Sequence, residues 1–421
     1  MTDRSADAAP GPIVIIGAGI VGVSVAIWLQ REGREVVLID RAGPGEGTSY
    51  GNGGVLASCS IVPVTVPGLL RKAPAMLLDP EQPLFLRWSY LPKLTPWLIR
   101  YLRHCKLEEV ERIAAALLPI VGDSLADHQA LAAGTGAEKW IVPSDYLFAY
   151  RDRSHYECDA FVWSIRRAHG FEWEELEGPS FKRYDAIFSD EIGFVARVPG
   201  HGRIADPGQY VRDLATHAER EGARVIKADV ADFVCDASRV VGVRAGGETF
   251  PCATAIVATG AWSGPLVDKL GLKVPLESER GYHIDLWGAN KTPRSPVMIA
   301  SGKFVATPMR DRLRLAGIVE FGGLRAGPSR APFALLFNQI RAAIPGIAWR
   351  EAEEWMGHRP AITDSIPLIG EVPGLRGAYL GFGHHHIGLT GGPKTGRLLA
   401  QLVSGQRPNI ELAPYAPSRF Q

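Results

Sequence analysis

Pro12-Ile-Val-Ile-Ile-Gly17-Ala-Gly19-Ile-Val-Gly22, with Asp40 beyond it, is the stretch that decides the fold of this 421-residue chain. Pro12 to Gly17 is a short β-branched run ending at glycine, the pattern of a fully buried strand in a parallel sheet. Ile20 to Arg31 continues with good helix formers and stops at Gly33. Val36 to Asp40 is a second apolar strand. Together they make a βαβ unit of about 30 residues, as a right-handed crossover requires. Gly17, Gly19 and Gly22 fit GxGxxG: the first permits a tight turn, the second lets the backbone approach a pyrophosphate, and the third lets helix and strand pack closely. The helix start, at Ile20 and Val21, offers free N–H groups and positive potential to that pyrophosphate. Asp40 stands 23 positions after Gly17, where an acid can hydrogen-bond both ribose hydroxyls. The plainer alternative is a glycine turn in an unrelated α/β domain, with Asp40 as a surface cap. The motif alone does not choose between NAD and FAD.

Composition narrows the classes. Hydrophobic residues make up 46% and charged residues 22%, a soluble globular balance. A net charge of +1 argues against nucleic acid as a partner, because phosphate binding needs a clustered basic face. Arg310, Arg312 and Arg314 alternate, which suits one exposed face of a strand. The five cysteines are scattered without a CxxC, so neither a disulfide framework nor a metal site is expected, and a reducing cytoplasm fits. Met1 to Gly11 is small and polar and is expected to be disordered.

Farther along, Ile61 to Trp97 is apolar and carries seven prolines, which forbid a long helix and leave a lid, a subunit contact or a membrane-surface patch open, with burial against the protein itself as the default. Leu107 to Ala132 has helical periodicity. Asp206-Pro207 opens another helix, Asp as N-cap and Pro as first residue. Arg224 to Lys227, Val230 to Cys235, Val240 to Arg244 and Thr249 to Pro251 read as an antiparallel meander, Ala255 to Ala258 as a return to the buried sheet, Phe333 to Ala343 as a helix, and Gly392 to Val403 as the last helix.

The segments IVIIGAGIVGVSVAIWL, TSYGNGG, ADPGQYVRDL, AIVATGAWS, RLAGIVEF, MGHRPAITDSIPLIG and FGHHHIGLTGGPKTGRLLAQLVSG, in that order and with Asp40, resemble the D-amino acid oxidase/dehydrogenase superfamily of FAD proteins. The resemblance runs roughly from Pro12 to Pro408 and looks closest to bacterial D-amino acid dehydrogenases, including those acting on D-proline or hydroxyproline. It implies an α/β fold with an α+β second domain: a Rossmann-like FAD-binding domain over 12–70, 203–264 and 356–410, and a discontinuous antiparallel-sheet substrate domain with a helical insert over 71–202 and 265–355. FAD is expected to be non-covalent, since no cysteine stands in the motifs where attachment would fall. By the same resemblance Arg41, Thr48, Ser49, Asn52, Gly53, Gly54 and Val55 lie along the pyrophosphate and flavin, and Val230 lies on the adenine side. Thr259, Gly260 and Trp262 close over the nucleotide, His384, Gly388, Leu389 and Thr390 approach the isoalloxazine ring, and Gly357 is a further cofactor contact. Gly388-Leu-Thr-Gly-Gly leads into a helix, whose N–H groups can stabilise negative charge on a reduced flavin; a packing role alone is the alternative.

Arg359, in Gly357-His-Arg-Pro, matches the segment where the amino-acid oxidases hold the substrate carboxylate, a task for which a planar guanidinium is suited. Its alternative is a structural ion pair with Asp364 or Glu354. Tyr282 and His283 are candidates for the pocket wall, and His384 and His385 for the other end of the substrate. The implied reaction is hydride transfer from the α-carbon of a D-amino acid or cyclic imino acid to flavin N5, then hydrolysis of the imine to a 2-oxo acid, with no general base nominated. A glycine- or sarcosine-type secondary amine oxidase, and a non-catalytic FAD-carrying subunit, remain as alternatives. The electron acceptor stays open among a quinone, an electron-transfer protein and dioxygen, as do the oligomeric state and peripheral contact with the inner face of the membrane.

Overall fold

Residues 11–69 and 84–421 are described by a computed structural model of the chain. The expected disorder of Met1 to Gly11 and part of the proline-rich run, including Pro74, Pro80 and Pro83, fall almost wholly outside them, as does the domain boundary drawn at residues 70 and 71.

Ile13–Ile16 is a central strand of a six-stranded sheet ordered Leu368–Glu371, Ala378–Phe382, Thr254–Val257, Ile13–Ile16, Val36–Asp40, Arg224–Lys227. The last five run parallel, and the first joins antiparallel. Side chains alternate across the strand. Ile13 and Ile15 pack under the helices, while Val14 and Ile16 face a three-stranded meander on the other side. Both faces are covered, which is why the strand reads as an unbroken apolar run. The helix Ile20–Arg31 lies against the last helix, Gly388–Val403. A side chain on Gly396 would overlap Ser24, so close contact of these helices depends on its absence.

Four readings of the sequence change here. Arg224–Lys227 is not part of the meander; it pairs in parallel with Val36–Asp40 and extends the buried sheet. The helix from Leu107 breaks at Gly122 and Asp123 into Leu107–Val121 and Ser124–Ala132. Both pieces pack with the last helix, Gly388–Val403, and Ser124–Ala132 also touches the strands Ile141–Tyr150 and Phe194–Ile204. Leu91–Leu102 is helical, with Pro92 in the first turn where no N–H is needed and Pro96 inside the helix, where one backbone hydrogen bond is missing. The last helix starts at Gly388, four residues before Gly392.

The second, ten-stranded sheet runs Glu351–Ile362, Leu276–Trp287, Arg312–Phe321, Phe304–Met309, Val297–Ile299, Ile141–Tyr150, Phe194–Ile204, Val55–Leu56 along its main path. Glu351–Ile362 is one continuous strand that runs through the expected boundary at 356, and Val55–Leu56 pairs within this sheet.

Arg312 and Arg314 were expected on an exposed face. They are buried, at 5% and 0% exposure, and only Arg310 lies outside. The carboxylate of Asp285, itself 0% exposed, sits between them, accepting from Arg312 Nε at 2.8 Å and from Arg314 Nε and Nη2 at 2.7 Å each. Arg312 also pairs with Asp206 at 3.0 Å, the residue that caps the helix Pro207–Arg220. Arg314 Nη1 donates to the carbonyls of Tyr50 and Asn52, both at 2.8 Å. Burial pushes the Asp285 carboxyl up, but the hydrogen bonds and charge of Arg314 outweigh it and hold the group below its ordinary value. Removing one partner of such a buried set leaves an uncompensated charge. Asp285→Ala is therefore expected to lower unfolding stability by about 3–5 kcal/mol, measured by denaturant titration. A loss below about 1 kcal/mol, the range of surface pairs, would contradict the assignment.

Candidate active site

The carboxyl ends of the parallel strands open onto a cleft of about 380 Å³, the place where open α/β sheets bind ligands. Gly17 and Gly19 form one wall. A methyl group on Gly17 would stand 2.5 Å from the carbonyl oxygen of Ala258, so the turn admits only glycine. Gly19 caps the helix without a side chain, and Ser49 supplies the missing acceptor: its Oγ takes the Ile20 N–H at 3.0 Å. Asp40 Oδ2 accepts from Ala18 N at 2.8 Å, while Oδ1 accepts from Ala42 N and Gly43 N at 2.8 and 3.0 Å. Ile20, Val21 and Arg41 line the same cleft, and the Arg41 guanidinium lies 4.1 Å over the Trp262 ring. Val230, Thr259 and Gly260 border the end near Asp40. Gly388, Leu389 and His384 border the other. A glycine wall, an acid at a strand end and a helix start at the far end fit an extended dinucleotide. Gly22 lies outside the cleft: a methyl there would overlap the Gly17 carbonyl, so it serves helix–strand packing.

A second cavity of about 340 Å³ adjoins the first, and Thr48, Asn52 and His385 line both. Gly53, Val55, Gly357 and Thr390 border this second space, with Tyr282 and Arg359. Gly54 borders neither; its N–H binds Asn52 Oδ1 at 2.9 Å. Thr48 Oγ1 donates to the His358 carbonyl at 2.8 Å. The start of the last helix is fixed from behind. Ser124 Oγ donates to the Thr390 carbonyl at 2.8 Å, and His128 Nε2 donates to the Leu389 carbonyl at 2.9 Å. His128 Nδ1 must then accept from the Tyr210 hydroxyl, 2.9 Å away.

Arg359 lines the second cavity, in the strand Glu351–Ile362. Its partner is neither Asp364 nor Glu354. Asp364 pairs with Arg419 at 2.8 Å and Glu354 with Arg330 at 2.6 Å. Arg359 instead faces Glu279, its cross-strand neighbour, at 3.8 Å, and donates to the Gly317 and Ile318 carbonyls at 3.0 and 3.4 Å. Ile318 has φ +49°, unusual for a β-branched residue, at a bulge where the pairing with Gly281 and Tyr282 shifts register. Gly281 leaves room for the guanidinium: a Cβ there would stand 2.6 Å from Arg359 Cζ.

Tyr282 and His283 lie on opposite faces of their strand. Tyr282 borders the cavity, but its hydroxyl is committed to Glu320 at 2.5 Å, among the residues under the helix Arg330–Ala343. His283 does not line the cavity. Its ring stacks on Trp355, centroids 5.0 Å apart, and Nδ1 binds the Gly51 carbonyl at 3.0 Å. His384, His385 and His386 diverge. His384 Nε2 meets Thr395 Oγ1 at 2.8 Å. His385 Nδ1 faces Glu279 at 3.7 Å, while Nε2 lies 2.9 Å from the Ile362 N–H and 2.8 Å from the Ile362 carbonyl. His386 lines the second cavity and its ring has no hydrogen-bond partner among the described residues. Burial raises the Glu279 carboxyl, but His385, Arg359 and His386 outweigh it and hold it at about 2. Burial holds His384 at about 3.

Sequence reasoning missed Glu279, Trp355, His386 and the bulge. A glycine inside the strand-like RLAGIVEF was a usable signal for the bulge. Glu279 and Trp355 become visible only through strand register.

Residues 12–402 match the family described as "DAO: FAD dependent oxidoreductase". The chain is 38% identical over 415 residues to a D-amino-acid oxidase of Bradyrhizobium diazoefficiens, covering 97% of this chain and 98% of the relative. It is 30% identical over 417 residues to a D-amino acid dehydrogenase of Paramagnetospirillum magneticum, again covering 97% and 98%. The fold is similar to glycine oxidase from Geobacillus kaustophilus, with a TM-score of 0.75 at 19% identity, covering 97% of this chain and 99% of that one.

His128, His283 and His384 are held by burial at about 4, 3 and 3, below the free value of 6.5. The unfolded chain therefore takes up protons first as pH falls, and stability rises with pH until about 6.5. Denaturation midpoints are expected to drop steadily from pH 7 to about 5; a flat profile over that range would contradict the neutral, buried placement of these rings.

Proposed function

The chain belongs to the DAO family of FAD-dependent oxidoreductases, and from that premise we propose that it oxidises the amine of a D-amino acid or of a cyclic imino acid such as D-proline or D-hydroxyproline. The product is an imine that water hydrolyses to the 2-oxo acid. One observation carries the reading: the cavity bearing Arg359 meets the dinucleotide cleft at Thr48, Asn52 and His385. Bound FAD supplies the hydride acceptor. Asp40 would hold its ribose, Gly19 and Ile20 its pyrophosphate, and Asn52, Gly53 and Thr390 the ring end. Arg359 and Glu279 present a cation and an anion 3.8 Å apart, suited to the carboxylate and nitrogen of one α-amino acid. Anchoring both fixes which face of the α-carbon is offered, so orientation does most of the work. The first turn of the last helix favours negative charge beside it. The D configuration draws support from the relatives named D-amino-acid oxidase and D-amino acid dehydrogenase.

Peripheral membrane contact is a second proposal, drawn from the helix Leu91–Leu102 and its flanks. Trp88 and Ile99 are 59% and 52% exposed, Lys93, Arg100, Arg103 and Lys106 are exposed, and no acidic residue occurs between Leu84 and Leu107. Among the described residues no helix is long and apolar enough to cross a bilayer. Co-sedimentation with phosphatidylglycerol vesicles but not phosphatidylcholine vesicles is expected, and Lys93→Glu with Arg100→Glu should abolish it; no binding to either vesicle would refute the contact.

For the reaction, anaerobic bleaching of the flavin by D- but not L-amino acids is expected. Arg359→Leu should raise the half-saturating substrate concentration roughly 10- to 150-fold, the loss of charged hydrogen bonds. Unchanged half-saturation would move the carboxylate anchor elsewhere.

A further inference from the structure

Arg359 is not the only guanidinium on the second cavity. Arg166, in the helix Ala160–Ala168, lines it too and is 8% exposed. Its position is set by aromatic rings: Cζ lies 4.5 Å from the Phe148 ring centre and 4.4 Å from that of Trp163. Nε donates to the Cys59 carbonyl at 3.3 Å. Among the described residues, no carboxylate comes within the 4.0 Å of an ion pair with it.

The other charges of the cavity are matched. Glu279 lies 3.8 Å from Arg359 and 3.7 Å from His385, and Lys303 lies 3.8 Å from Asp159. Among the described residues Arg166 is thus a buried cation with no carboxylate partner, and an arrangement of that kind is costly unless something arrives to compensate it. The two rings stand nearly perpendicular, at 80°, with the guanidinium over both, and its Nη groups, which have no hydrogen-bond partner among the described residues, can take a planar anion. The strand Ile141–Tyr150, which carries Phe148, is the sixth along the path of the sheet that begins with the strand of Arg359. Arg166 therefore addresses a different part of the ligand from the one Arg359 holds.

We propose that the substrate carries a second carboxylate, on its side chain, and that Arg166 receives it, so that the enzyme prefers acidic D-amino acids of the D-glutamate and D-aspartate class over their amides. The proposal rests on the amine-oxidation reading above. Glutamate and glutamine differ little in shape, so their ratio isolates the charge.

The test measures kcat/KM for flavin reduction by D-glutamate and D-glutamine in the holoenzyme and in Arg166→Gln and Arg166→Lys. The wild type is expected to favour D-glutamate by about tenfold or more, the value of a charged hydrogen bond. Arg166→Gln should bring the ratio close to one, and Arg166→Lys should restore part of it. A wild-type ratio near one, or a ratio that survives Arg166→Gln, would overturn the assignment. Should the variants not fold, perturbation of the wild-type flavin spectrum by glutarate and by its half-amide decides: tighter binding of glutarate by about tenfold supports Arg166, and equal binding refutes it. If D-alanine and D-proline also fail to reduce the flavin, the amine-oxidation reading falls separately, and the glutarate comparison still judges Arg166.

Discussion

A carboxylate with no access to water, Asp285, is the constraint on which this molecule is built. It binds both Arg312 and Arg314, two positions apart on one strand, and through them it fixes two things outside the sheet. Arg312 reaches Asp206 and with it the helix Pro207–Arg220. Arg314 reaches the carbonyls of Tyr50 and Asn52, while His283 takes the carbonyl of Gly51 between them. Three successive carbonyls of one loop are thus held by side chains of the substrate-domain sheet. Backbone groups of a buried loop must find partners, and here the partners come from the other half of the molecule. Asn52 lines both the cleft and the second cavity, so the same bonds set where the two spaces meet.

The second cavity follows from strand alternation and one irregularity. Antiparallel register places Glu279 opposite Arg359 and Gly281 opposite Gly357. Glycine at 281 opens the space the guanidinium fills, and the bulge at Ile318 turns two carbonyls toward it. A regular strand would leave those carbonyls in the ladder. Strained backbone of this kind persists only where the surroundings over-determine it, and here the two neighbouring strands do so. Trp355 closes the wall by occupying volume that a side chain on Gly51 or Gly357 would claim.

The nucleotide half was legible from the chain because its determinants are local. Gly17, Gly19 and Asp40 act through turns and strand ends that sequence spacing encodes, and motif order carried the family. The substrate half was less so. Arg312 and Arg314 look like a solvated face by alternation, since nothing near them in sequence reveals that Asp285 lies between them. Tyr282 and His283 share a segment but not a face, a difference that only register fixes. Arg359 was found through its motif, whereas its partner Glu279, some eighty positions away, was not. His386 was passed over for its neighbours because a 3₁₀ turn, not a strand or helix, decides where each of three adjacent rings points.

Arg359, the proposed carboxylate anchor, lines the cavity that adjoins the dinucleotide cleft. A crystal structure of the FAD-bound enzyme soaked with an unreactive carboxylate, such as benzoate, tests that role directly. The account predicts the carboxylate paired with the Arg359 guanidinium, in the cavity bounded by Gly281 and Trp355. A carboxylate bound elsewhere, with Arg359 still committed to Glu279 and the Gly317 and Ile318 carbonyls, would contradict it.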